Sequence, residues 1–128
     1  LLSLLRIVAA FMFTLSGTTK LLGFPTAPPG GLAHAWTEPW VGGVLEAFGG
    51  ALLLLGLFTR PVAFLLAGEM AVAYFQFHAP KAFWPVVNGG VSAALYCFVW
   101  LYVSAAGPGP ISVDGRLRRH PLEPVKIP

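Results

Sequence analysis

The stretch VGGVLEAFGGALLLLGLFTR, residues 41–60, decides the fold. Up to Phe58 it is apolar apart from Glu46. It approaches the ~20 residues, rising about 1.5 Å each, that a helix needs to cross a bilayer. A carboxyl group at the centre of such a helix costs about 2.5–3.5 kcal/mol, and less near its ends. Reading the stretch as a membrane helix therefore requires a partner for Glu46.

Working outward, three more apolar runs share this character. The first spans 1–24 and stops at Pro25; the third spans 61–78, with Pro61 in a favoured first-turn position. The fourth, 88–106, ends at GPGP (107–110), which cannot continue a helix. None alternates as a barrel strand would. The expected fold is an all-α membrane protein, an antiparallel four-transmembrane-helix bundle with helices at 1–24, 41–58, 61–78 and 88–106. Composition agrees: of 128 residues, 56% are hydrophobic and 10% charged, against roughly 25% charged in an ordinary soluble domain. This leaves room for one membrane domain, residues 1–114, and a basic tail, 115–128. The sequence opens on Leu1 instead of Met, so a few preceding residues are expected. Residues 1–23 are too long an apolar run for a signal-peptide core and are read as a retained span.

Net charge is +3, and its placement carries the information. Arg116, Arg118 and Arg119 follow the last span, so they set orientation or contact anionic lipid and do not suggest nucleic acid. Two connectors, 25–40 and 79–85, carry Trp36, Trp40, Phe83 and Trp84, as an interfacial aromatic belt does. The opposite side holds Arg60 and the tail arginines, which places both termini in the cytoplasm by the positive-inside rule. Cys97 stands alone, so neither an internal disulfide nor a CxxC relay is available.

Four charges lie within the spans. Glu46 sits about 9 Å and Lys20 roughly 6 Å below the same end of their helices, a depth at which their side chains meet. Arg6 lies about 8 Å, and Glu69 about 13 Å, from the other end, giving a second candidate intramembrane ion pair. Such pairs either fix helix register or mark a site, and the residues leave both readings open. Gly42, Gly49 and Gly56 repeat every seven residues, as do Gly43 and Gly50, a spacing that lets backbones approach in an interior helix or an oligomer seam. Glu69, Ala73 and Gln76 share a face near Tyr74 and His78, and Ser92 and Tyr96 line up on the fourth helix. The candidate polar site is therefore Lys20, Glu46, Tyr74, His78 and Tyr96. No carboxylate–histidine cluster has metal spacing, and no metal is expected.

The segments LLRIVAAFMFTLSGTTKLLGFP, LEAFGGALLLLGLFTRPVAFLLAGEMAVAYF, HAPKAFWPVVNGG and LYCFVWLYVSAAGPGPISVD together resemble the DoxX family of small bacterial membrane proteins, in the family's order. The pattern falls on Arg6, Gly17, Lys20, Glu46, Gly50, Gly56, Arg60, Ala73, Asn88, Gly89 and Gly90. Val91 departs from it, standing where many members carry an acidic residue. The resemblance implies a multi-pass protein of the bacterial inner membrane. It also implies a subunit supporting a quinone-linked or thiol- and sulfur-linked oxidoreductase system, with quinone as the candidate ligand and a redox enzyme as the candidate partner. Under that reading Lys20 bonds a quinone carbonyl or attracts an anionic substrate. The alternatives are a non-catalytic scaffold or assembly factor, and a small transporter using Glu69. A homo-oligomer is compatible with all three.

Overall fold

The computed structural model describes residues 1–118, and they are helical with no strand among them. Arg119 and the rest of the expected tail lie outside the described residues. The helices are α1 (Leu2–Leu22), α2 (Glu38–Leu55), α3 (Thr59–Ala73), α4 (Pro85–Asn88), α5 (Val91–Ala106) and α6 (Val113–Arg118). A π-helical turn, Tyr74–His78, continues α3. Of these, α1 and α2 are long and apolar enough to cross a membrane, and α5 is apolar but only 16 residues long.

The helix ends follow from local chemistry. α1 stops where Gly23 adopts φ 69°, a left-handed conformation that costs glycine little. α2 stops at Leu55, short of the expected Phe58, because Gly56 turns left-handed at φ 71°. Gly56 N–H then donates to Leu53 and Leu57 N–H to Leu52, closing the last turn. Gly56 is thus a terminator as well as the packing position its place in the seven-residue repeat suggests, since a Cβ there would strike Ser112 and Arg6. The fourth long helix begins at Val91, not at residue 88. Gly89 turns left-handed after the single turn of α4, and Asn88 Oδ1 accepts the Gly90 N–H at 2.8 Å. α6 crosses the boundary expected between bundle and tail.

α1 and α2 pack along each other through glycine. A Cβ on Gly17 would strike Gly43 and Ala47, one on Gly50 would strike Thr14, and Gly43 faces Lys20 and Leu21. Gly42 and Gly49 turn the other way, toward Glu69 and Leu66 of α3. The glycines therefore form seams within one chain. α3 packs chiefly along α5, and contact between the α1–α2 pair and the α3–α5 pair is less extensive. Phe13, Leu53, Leu66, Trp100 and Val103 are fully buried where the pairs meet, with Phe13 edge-on to Trp100 at 5.5 Å.

At the Arg60 end the segment after α5 folds back across the helices. Arg6, only 1% exposed, donates to the carbonyls of Pro108 and Ile111, the latter at 2.7 Å. Ser3 Oγ accepts the Ile111 N–H at 3.1 Å. Asp114 accepts the N–H groups of Phe58 at 3.0 Å and Thr59 at 2.9 Å, capping α3 from a distance. Arg60 donates to the carbonyls of Ser104 and Ala105 at the end of α5. Partial burial pulls the Asp114 carboxyl upward; hydrogen bonds from Thr59 and the Phe58 amide, with Arg118 nearby, outweigh it and hold the group below its ordinary range.

Candidate functional site

Away from that end the two helix pairs leave a cleft of about 990 Å3 between α1, α2, α3 and α5. Ser16 and Lys20 enter from α1, Glu38 and Glu46 from α2, Glu69 from α3, and Ser92 and Tyr96 from α5. Gln76 and His78 reach it from the π-helical turn. Toward the N-terminus of α3 the wall turns apolar through Gly68, Leu65, Phe64 and Pro61. The volume lies at the upper end of what small-molecule sites use.

The structure brings Lys20 and Glu46 together. Lys20 Nζ donates to Glu46 Oε1 at 2.8 Å and to Oε2 at 2.9 Å. Ser16 Oγ donates to Oε2 at 3.1 Å. Ser16 is one helical turn before Lys20, so both reach the same carboxylate from one face of α1. Sequence reading missed Ser16, although the i, i+4 spacing from Lys20 is a usable signal. Glu46 is buried, and this three-way contact answers the need for a partner that the opening stretch posed.

The second expected pair does not form. Arg6 is committed to backbone carbonyls of the returning segment, and Glu69 points into the cleft beside Gly42. Glu69 Oε2 is buried without a hydrogen-bond partner. Tyr74 is also displaced from the expected cluster. Its hydroxyl accepts from Asn88 Nδ2 at 3.3 Å and its ring packs at Gly90, so it belongs to the α4–α5 junction and not to the cleft wall. The π-helical turn rotates the residues after Ala73 away from their α-helical positions. His78 lines the cleft, and its Nδ1–H donates to the Asn88 carbonyl at 3.1 Å. Trp36, from the connector after α1, closes part of the same wall. His34 sits in that connector, where its carbonyl accepts from Thr37.

The family model of DoxX matches residues 1–79. The chain belongs to the DoxX family. The matched part of this DoxX protein contains Ser16, Lys20, Glu46, Glu69 and His78, while Ser92 and Tyr96 lie beyond it. An uncharacterized protein of Haemophilus influenzae is 46% identical over 120 residues, covering 90% of this chain and 89% of its own. No solved structure matches the chain.

Proposed function

We propose that this DoxX protein is a multi-pass subunit of the bacterial inner membrane, supporting a quinone-linked or thiol- and sulfur-linked oxidoreductase system. Its four long helical segments cross the bilayer as an antiparallel bundle with both termini cytoplasmic. The embedding is supported by an inverted distribution of polarity. Arg6, Glu46, Thr59 and Asn88 are buried, while Phe11, Phe48, Phe64, Phe75 and Phe98 are exposed. Such an apolar surface suits lipid and not water.

The observation carrying the functional reading is the cleft itself. It is apolar over much of its length and gathers its polar groups toward one end, as a site for a lipophilic ring bearing hydrogen-bonding oxygens does. The test is an absorption spectrum and solvent extract of the purified protein, with identification of any co-purifying chain. An extractable quinone, lost on Lys20→Met, is expected. Protein that carries no quinone and supports no quinone-dependent activity, alone or with its co-purifying partner, refutes the reading.

One observation favours a scaffold instead. Both oxygens of Glu46 are satisfied within the chain, as they are in a pair that only pins α1 to α2. Exchanging the two charges separates the alternatives. Folding and function both return if the pair is a pin; folding alone returns if Lys20 meets a ligand.

A further inference from the structure

Gly68 has no packing reason to be glycine. It lies inside α3, where glycine is among the least favourable residues. Gly17, Gly42, Gly43, Gly49 and Gly50 lie in the long helices too, and a Cβ on any of them would come within 3.2 Å of a neighbour. A Cβ on Gly68 would meet nothing within 4 Å, and its φ is not left-handed. What Gly68 does is leave the α3 backbone bare on the wall of the cleft.

The surroundings define what that bare backbone faces. Pro61, Leu65, Gly68 and Val72 recur at helical spacing along the cleft side of α3. Leu65 and Val72 are more than half exposed, so this chain does not cover the stripe. Immediately beyond Gly68 stands Glu69, whose buried Oε2 lacks a partner. Glu69, buried without a partner, counts here as a neutral carboxyl, and the charged groups lining this end are still unbalanced: Glu38 and Glu46 stand against Lys20, which is bonded to Glu46. An anionic head group entering there meets more carboxyl groups than cations, in surroundings that screen poorly.

We propose that the cleft binds an uncharged amphiphile, its apolar chain lying against the α3 backbone at Gly68 and its oxygen-bearing head accepting a hydrogen bond from the neutral Glu69 carboxyl. This rests on the quinone reading and adds to it a seat for the chain and the exclusion of anionic heads. Small anionic sulfur compounds and fatty acids are therefore not its ligands.

The test measures binding of a radiolabelled benzoquinone bearing a ten-carbon chain to the protein in phosphatidylcholine nanodiscs, with empty nanodiscs subtracted. Saturable binding is expected, and a fatty acid of equal chain length should not displace it. Gly68→Leu fills the seat without touching the head site and should weaken binding about tenfold or more. Gly68→Ala should weaken it by a smaller factor, and thermal melts of both variants should match or exceed that of the parent. If Gly68→Leu fails to fold, Gly68→Ala decides. Equal quinone binding by parent and variant, or displacement by the fatty acid, overturns this inference and leaves the quinone reading standing. No saturable quinone binding by the parent overturns both.

Discussion

Lys20→Met is the perturbation whose cost the structure defines best. The Glu46 side chain is 3% exposed and that of Lys20 35%. Removing the ammonium leaves a buried carboxyl with Ser16 as its remaining bonded partner. Breaking a fully buried pair by deleting one member costs about 3–5 kcal/mol. The solvent reaching Lys20 and the surviving Ser16 bond reduce that to about 2–3 kcal/mol. Glu46→Gln keeps the shape and an acceptor for Ser16 but leaves Lys20 without its counter-charge. The double variant removes both charges and should be closer to the parent than the sum of the single changes, with a coupling of about 2 kcal/mol. Reversible unfolding in mixed micelles at neutral pH, run on the parent, both single variants and the double variant, measures this directly. The reasoning fails if Lys20→Met lies within about 0.5 kcal/mol of the parent, or if the two single effects simply add.

Further outcomes are expected at four other positions. Arg6→Met strips the Pro108 and Ile111 carbonyls of their donor and should cost about 2–4 kcal/mol; Arg6→Lys recovers only part because it lacks the planar fork, and limited proteolysis of the segment after α5 reports the loss. Gly17→Val should loosen the α1–α2 seam by about 1–3 kcal/mol, whereas Gly68→Ala should raise the melting temperature because alanine is the better helix former and has room. Asp114 is held below its ordinary value of 3.8, so the stability it supplies is complete above that pH and is lost as pH falls through the lower folded value. Acid titration of the melting temperature should show this step in the parent and not in Asp114→Asn.

The sequence resolves some features of this chain far better than others, for physical reasons. Apolar runs and their proline and glycine boundaries locate the long helices because the backbone chemistry at those ends is local. The approach of Lys20 to Glu46 is legible because the two residues lie at matching depths on helices joined by one connector. The same depth reasoning misassigns Arg6. It considers carboxylates on other helices and overlooks the carbonyls of a segment that returns after α5. Tyr74 is misplaced because a widened turn shifts a helix face, and YFQFH gives no clear sign of that widening. Asp114 ends the last of the segments that carry the resemblance, but its role emerges only when Phe58, at φ 50°, presents the start of α3 to it.

The returning segment also sets an order for biosynthesis. Lys20 and Glu46 are 26 residues apart, so their pair can close while the chain is still being made. The carbonyls that satisfy Arg6 lie 102 and 105 residues downstream of it. During synthesis, then, the Arg6 guanidinium goes without these partners until residues 108 and 111 have emerged. A nascent chain halted in α5 carries a completed cleft-end ion pair and an unsatisfied arginine, which distinguishes it chemically from the finished protein.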